Sequence, residues 1–166
     1  MTITTLFGPE EIPTKPRTIG FKQIKAIYET LVVRDEVTDY LKTGTRFTAP
    51  QQVFETFNFL RNETKEHFFA LHLDGKNRIL CIDLVSVGSL NQSIVHPRET
   101  FKNSLLSSAA SIILIHNHPT GDPSPSSEDI AITRRLKEVG ELVGIKVLDH
   151  IIIGDSYISF VERGLI

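Results

Sequence analysis

The chain of 166 residues contains a single cysteine, Cys81. One thiol excludes an intramolecular disulfide and a zinc cage built from cysteines. Long apolar runs are missing as well, since the longest, such as 112–115, fall far short of the length that spans a bilayer. The N-terminus has no basic segment followed by an apolar one, so neither a signal peptide nor a membrane partner is predicted. A reducing, cytoplasmic location is therefore expected.

An excess of basic residues is also missing. Lys and Arg number 18 against 20 Asp and Glu, which gives a net charge of −2. Proteins that bind nucleic acids by neutralising phosphates usually carry a strong basic excess or a basic stripe. The charge balance therefore disfavours DNA binding through bulk electrostatics. The hydrophobic fraction of 40% is ordinary for a globular domain with a core of its own.

The first part of the chain gives mixed structural signals. Residues 1–20 contain three prolines and no period, which predicts an extended, partly ordered arm. Apolar residues at helical spacing predict a helix over 21–33. A second helix is predicted from Thr48 to about residue 65, with Thr48 and Gln51 as a capping box.

Strands and helices alternate in the remainder. A hairpin is predicted from strands 67–73 and 78–87 around the turn at Asp74 and Gly75. A short helix after Pro97, a strand at 111–115, a helix ending near 143 and two strands at 145–153 and 157–161 follow. This order predicts an α/β or α+β sandwich, with a mixed central sheet flanked by helices.

Two histidines at the end of the apolar strand carry the chemical signal. Side chains two apart in a strand share a face, so His116 and His118 project together and Asn117 faces away. Asp129 lies at the third position of the next helix, behind the N-cap Ser126, and at the head of an apolar stripe. That stripe consists of Ile132, Leu136, Val139 and Val143, so we expect it to be the buried face.

Two imidazoles and one carboxylate are typical of a catalytic zinc site with an open fourth position. The alternative is a core histidine beside a helix-dipole carboxylate. Bound zinc lowers the pKa of water to about 7, and a carboxylate must then move the proton. Glu63, Glu66 and Glu99 are candidates for that role, and spacing alone does not choose among them.

The residues resemble the JAMM (MPN-plus) metalloprotease motif: a glutamate, then His-x-His-Pro, then Ser-x-x-Asp. More narrowly, residues 48–163 resemble the RadC-type family. The segments that carry the resemblance are Glu66-His67-Phe68, His96-Pro97-Arg98-Glu99, His116-Asn117-His118-Pro119-Thr120-Gly121-Asp122, Pro125-Ser126 and Leu148-Asp149-His150-Ile151-Ile152-Ile153-Gly154. Residues 1–47, by contrast, lack the glycine pattern of the helix-hairpin-helix region that RadC-like proteins carry.

The resemblance implies a JAMM/MPN fold, with the layered arrangement of cytidine deaminases, over 48–166 after an N-terminal arm and helix at 1–47. It implies one Zn²⁺ per chain, held by His116, His118 and Asp129. It also selects Glu66 as the general base and gives Ser126 the role of steadying an oxyanion.

Asp149 and His150 are predicted to support the zinc ligands or to form a structural pair. The leading functional hypothesis is a zinc-dependent metallopeptidase or isopeptidase-like hydrolase. The alternative is a DNA-associated factor in repair or recombination, acting as a nuclease or a binding platform, which the family name supports more than the residues do. The sequence indicates neither the peptide or protein substrate nor the oligomeric state.

Overall fold

The protein is described by a computed structural model that covers residues 2–5, 8–11, 23–25, 27–28, 46–88 and 95–166. Within these ranges the α-helices are α1 (Pro50–Phe57), α2 (Pro97–Leu106) and α3 (Ser127–Val143), and a 3-10 helix, Asn58–Asn62, follows α1. The strands are β1 (Thr2–Thr5), β2 (Gly8–Glu11), β3 (Glu66–Leu73), β4 (Ile79–Gly88), β5 (Ser111–Asn117), β6 (Lys146–Ile153) and β7 (Tyr157–Ser159).

Five strands form one mixed sheet in the order β4-β3-β5-β6-β7. Only β5 and β6 are parallel to each other, and α3 connects them. The other neighbours are antiparallel, beginning with the β3–β4 hairpin. Its turn is fixed by Asp74, whose carboxylate accepts hydrogen bonds from the backbone N–H groups of Lys76 and Arg78 at 2.8 and 2.9 Å. The predicted mixed sheet flanked by helices is confirmed.

Both faces of the sheet are covered by apolar packing. One face packs against α1 and the 3-10 helix through Val53, Phe57, Leu60, Leu71, Leu73, Ile79, Ile113, Ile115, Ile151 and Ile153. The other packs against α2 and α3 through Phe68, Val95, Phe101, Ile112, Leu114, Leu136, Ile145 and Val147. All seven residues of β5 are buried, which explains why this strand reads as a continuous apolar run.

Helix α3 has well-defined ends. The Ser126 side chain accepts from the backbone N–H of Asp129, and the Asp129 carboxylate accepts from the backbone N–H of Ser126, so the two residues form a capping box. Gly144 ends the helix with φ of +75°, a left-handed conformation that favours glycine. These caps fix where Asp129 lies relative to the end of β5.

The structure corrects several predictions at the level of single elements. The second predicted helix is an α-helix that ends at Phe57 and a 3-10 helix that ends at Asn62, rather than one helix to about 65. Its N-cap is Ala49 and has no side-chain cap, so the capping box predicted for Thr48 and Gln51 is wrong. The Gln52 side chain instead accepts from the backbone N–H of Thr48 at 2.8 Å.

Of the apolar stripe predicted for α3, Leu136 is buried, Ile132 and Val139 are partly buried against the same core, and Val143 is exposed. Thr133 and Gly140 are also buried. Apolar periodicity does not register a threonine or a glycine.

The N-terminal predictions are tested only in part. Residues 1–20 include the antiparallel pair β1 and β2, which was not predicted. The helix predicted over 21–33 is not found at its described residues, 23–25 and 27–28, which have no regular secondary structure. The remainder of that helix lies outside the described residues. No helix in the described ranges is long and apolar enough to cross a bilayer.

Candidate metal centre

Three side chains converge where β5 ends and α3 begins. His116 is the second-last residue of β5, His118 follows the strand directly, and Asp129 lies in the first turn of α3. The Nε2 atoms of the two histidines are 3.0 Å apart. The Asp129 oxygens lie 3.2 Å from Nε2 of His116 and 3.4 Å from Nε2 of His118. The predicted ligand set is therefore brought together by the fold.

A chain of hydrogen bonds fixes the tautomer of His116. The Thr133 hydroxyl lies 2.5 Å from the backbone carbonyl oxygen of Asp129 and 2.5 Å from Nδ1 of His150. Two oxygens this close require the hydroxyl proton between them, so Thr133 donates to the carbonyl and accepts from His150 Nδ1–H.

His150 in turn determines which ring nitrogen of His116 carries a proton. It is fully buried, and burial together with the charge of His116 lowers its pKa well below the ordinary value, so the ring is neutral. With the proton on Nδ1, its Nε2 accepts from His116 Nδ1–H at 2.8 Å. Nε2 of His116 faces Asp129 and His118, and it carries a lone pair when the ring is neutral.

His118 is oriented by its own backbone contact. Its Nδ1 donates to the backbone carbonyl oxygen of Asp122 at 2.8 Å, and this leaves Nε2 facing the cluster. Its backbone N–H donates to the carbonyl oxygen of Ile153 at 2.8 Å, which ties the residue to the end of β6. Both imidazoles thus turn Nε2 toward the Asp129 carboxylate, and groups this close are held together by a shared cation, either a proton or a metal ion.

The geometry suits zinc. Zn–N bonds of about 2.0–2.1 Å at tetrahedral angles separate ligand atoms by about 3.3 Å. The three distances of 3.0, 3.2 and 3.4 Å surround that value. His116 and His118 each use the second ring nitrogen for a protein hydrogen bond, as metal-binding histidines generally do. The residues present therefore fit a three-ligand metal site.

The charges in the cluster are strongly coupled. Burial by itself would raise the pKa of the Asp129 carboxyl, but hydrogen bonds from His116 and His118 and the charge of His116 hold it well below its usual range. The hydrogen bond to Asp129 raises the pKa of His118 against the opposing effect of burial, and the charge of Glu66 adds to the rise. Glu66 is therefore close enough to influence the cluster electrostatically.

Ser126 is exposed at the entrance to α3, one helical turn before Asp129. Its hydroxyl donates to Oδ2 of Asp129 at 2.6 Å, and it accepts from the backbone N–H of Asp129 at 3.1 Å. The N-cap predicted for Ser126 is confirmed. Donation to an oxyanion would require the hydroxyl to turn away from Asp129, and that role stays a prediction.

The two residues predicted to support the zinc ligands, His150 and Asp149, have different partners. His150 contacts His116, whereas the Asp149 carboxylate accepts from Ser159 Oγ at 2.6 Å and from the backbone N–H of Val161 at 3.0 Å. Asp149 therefore supports the turn after β7 rather than a ligand.

Among the glutamates, Glu63 is exposed beyond the 3-10 helix. Glu99 forms ion pairs on the surface of α2 with Lys102 at 2.7 Å and with Arg98 at 3.5 Å. Neither contacts the cluster, and Arg98 has a carboxylate partner within its own helix. Burial raises the pKa of the half-buried Cys81 thiol, which keeps it protonated.

Sequence reasoning missed Thr133 and underrated Asn117. Thr133 is four residues after Asp129 on α3, so helical spacing alone puts both on one face. Asn117 was predicted only to face away from the histidines, which it does, but it is fully buried and its amide contacts the backbone on both sides of Glu66. A polar residue at a fully buried strand position was the available signal.

The layered sheet, together with two histidines at the end of β5 and a carboxylate in the first turn of α3, defines a JAB/MPN-type domain with a candidate metal site. Residues 47–165 match the family model described as the RadC-like JAB domain. The chain therefore belongs to the RadC-like JAB domain family. The division predicted between residues 47 and 48 stays a prediction.

The chain is similar to proteins of the UPF0758 group. It is 66% identical over 123 residues to the UPF0758 protein of Pelobacter propionicus, covering 73% of this chain and 54% of that protein. It is 48% identical over 157 residues to the UPF0758 protein of Methanococcoides burtonii, covering 92% and 68%. The chain thus spans about half the length of the first of these relatives, and the printed names state no activity.

Proposed function

We propose that the chain is a zinc-dependent hydrolase of peptide or isopeptide bonds, with His116, His118 and Asp129 as ligands to one zinc ion. The observation that carries the proposal is the convergence of two imidazole Nε2 atoms and a carboxylate, with both other ring nitrogens engaged elsewhere. A surface ion pair needs no such arrangement. Three protein ligands leave one position open, as in catalytic rather than structural zinc sites.

Bound zinc supplies Lewis-acid chemistry: it polarises a carbonyl and makes water acidic enough to react near neutral pH. The chain's own contribution is proton transfer. The Glu66 carboxylate accepts a proton from the attacking water, and it returns that proton to the amide nitrogen when the C–N bond breaks. Its position at the start of β3, close enough to raise the pKa of His118, supports this role.

Ser126 is proposed to donate a hydrogen bond to the carbonyl oxygen as negative charge develops on it. Its exposure beside Asp129 supports the proposal, because a substrate can reach it without rearrangement of the helix. Removing an oxyanion donor costs about 100-fold to 1000-fold in kcat. Ser126→Ala removes both this donor and the cap, whereas Ser126→Asp keeps only the cap.

The first test is metal content, followed by hydrolysis. We expect about one zinc ion per chain in the purified protein, and its loss in His116→Ala and in Asp129→Ala. Hydrolysis is then measured on unfolded protein mixtures and on peptides joined through a lysine side chain. Glu66→Gln should retain zinc and lose at least about 100-fold in rate.

Three outcomes are informative. Full hydrolysis by Glu66→Gln would overturn the assigned roles. Zinc binding without hydrolysis of either substrate class would restrict the proposal to a metal site. Absence of zinc after reconstitution would leave a metal-free scaffold. The alternative DNA-associated function stays a prediction: no observation in the described part of the chain favours it, and the overall charge is −2.

A further inference from the structure

The ladder between β3 and β5 stops at the candidate centre. Its last backbone pair is Phe68 with His116, and the register is antiparallel. Continuing that register by one residue sets His67 opposite Asn117, and by two residues sets Glu66 opposite His118. The segment that carries Glu66 therefore extends beyond the backbone pairing between these two strands.

Beyond the last backbone pair, the side chain of Asn117 makes the hydrogen bonds to the β3 segment. Its Oδ1 accepts from the backbone N–H of His67 at 2.8 Å, and its Nδ2 donates to the backbone carbonyl oxygen of Lys65 at 3.0 Å. The residue is 0% exposed. A carboxamide carries the same donor and acceptor as a peptide group, so Asn117 supplies two hydrogen bonds of the kind that a continued strand would make.

These two contacts flank Glu66 on both sides. Because side chains alternate along a strand, Glu66 lies on the same face as Phe68. The Phe68 ring stacks on the His116 imidazole, with centroids 5.8 Å apart and an interplanar angle of 17°. The carboxylate of Glu66 is thus directed to the face that holds the histidines.

We propose, on the basis of the hydrolase function above, that Asn117 is a positioning residue for Glu66. It holds the peptide groups before and after Glu66 and thereby keeps the carboxylate over the His116 and His118 face of the sheet. The role requires one donor and one acceptor on a short, uncharged side chain. Alanine has neither, and aspartate keeps the acceptor for His67 while placing a repelling oxygen against the Lys65 carbonyl.

The test compares Asn117→Ala with Thr56→Ala, the control. Thr56 is also buried, and its hydroxyl donates to the Gln52 carbonyl oxygen within α1 at 2.8 Å. In Asn117→Ala the ¹⁵N relaxation order parameters of the Glu66 and His67 amides should fall below their wild-type values, and pairing with Gly88 and Val87 of β4 should limit the loss. Thr56→Ala should leave those values unchanged. Zinc affinity should stay within about twofold of the wild type in both variants.

Kinetics separate positioning from a general structural role. On a substrate that the wild type hydrolyses, Asn117→Ala should lower kcat at least tenfold without changing KM, and should cost nothing further in the Glu66→Gln background. Rigid amides at 66 and 67 in Asn117→Ala, or an additive loss in the double variant, would overturn the proposal. If Asn117→Ala does not fold, Asn117→Ser, which keeps a single hydrogen bond, is measured in the same way and should give an intermediate loss of order.

If the wild type hydrolyses nothing, the hydrolase function fails, while the order parameters still decide whether Asn117 holds the segment. Failure of the two proposals is therefore distinguishable.

Discussion

His116 Nδ1 lies 2.8 Å from His150 Nε2, and this contact joins a candidate metal ligand to the fully buried interior of the sheet. His150 is in turn held by the Thr133 hydroxyl on α3. Because Thr133 also donates to the Asp129 carbonyl oxygen, the direction of every proton in the chain is determined. The hydroxyl of one helix residue thus decides which nitrogen of His116 is free to bind a metal.

Replacing Thr133 with valine should weaken zinc binding by about tenfold or more. Valine keeps the shape but leaves His150 Nδ1–H without an acceptor, so His150 can move its proton to Nε2 and face the Nδ1–H of His116 with a second donor. His116 must then place its own proton on Nε2. Zinc titration against a competing chelator measures the change. The control is Thr56→Val, which changes a buried threonine remote from the centre. Equal zinc affinities in the two variants would refute the hydrogen-bond chain from Thr133 through His150 to His116.

Removal of the metal should lower the free energy of unfolding, because the ion binds to ligands that only the folded chain brings together. Zinc at 100 times its dissociation constant stabilises the folded chain by about 2.7 kcal/mol. We therefore expect urea unfolding of the wild type to shift to lower denaturant when a chelator is added, and to recover with zinc. His118→Ala should unfold at the same denaturant concentration with and without zinc. A zinc-dependent shift in that variant would place the metal elsewhere.

The sequence predicted the three candidate ligands because the position of each depends on local periodicity. Alternation along β5 puts His116 and His118 on one face, and the capping box puts Asp129 at the start of α3. The positions of the residues that hold these ligands in place depend instead on which strands are adjacent in the sheet. His150 reaches His116 across 34 residues of chain only because β6 lies parallel to β5, and local patterns do not specify which strands are adjacent. Asn117 is a similar case, since its partners lie 50 and 52 residues away.

His72 on β3 should make stability pH-dependent. It is 0% exposed, and within the described ranges neither ring nitrogen has a hydrogen-bond partner. Burial lowers its pKa below the ordinary 6.5, against the smaller opposing charge of Asp83. The unfolded chain therefore binds a proton at His72 more readily than the folded chain, and stability falls as pH drops below about 6.5.

His72→Leu removes this contribution. The free energy of unfolding should fall less steeply between pH 7 and pH 5 in the variant than in the wild type, by up to about 1.4 kcal/mol per pH unit. At pH 7 and above the variant should be at least as stable, because leucine leaves no unsatisfied buried nitrogen. Urea unfolding of both chains at each pH gives the difference. Parallel profiles would show that His72 is protonated equally in the folded and unfolded states.

Gly154, at the end of β6, should be essential for the loop that orients His118. A Cβ at this position would lie 2.2 Å from the Gly121 carbonyl oxygen, closer than real contacts allow. That carbonyl accepts from the backbone N–H of Asp155 at 2.6 Å, and the N–H of Gly121 donates to the His118 carbonyl oxygen at 3.0 Å. Gly154→Ala must therefore displace the 118–122 loop, with an overpacking cost of about 1–3 kcal/mol.

Because the Asp122 carbonyl oxygen in this loop also holds Nδ1 of His118, zinc affinity should fall together with stability in Gly154→Ala. Gly75→Ala is the matched control: a Cβ there has nothing within 4 Å, so both quantities should stay near wild type. Urea unfolding and zinc titration of the two variants provide the comparison. A Gly154→Ala variant that loses stability but binds zinc normally would show that the loop adjusts without moving His118, and that β5 alone positions this ligand.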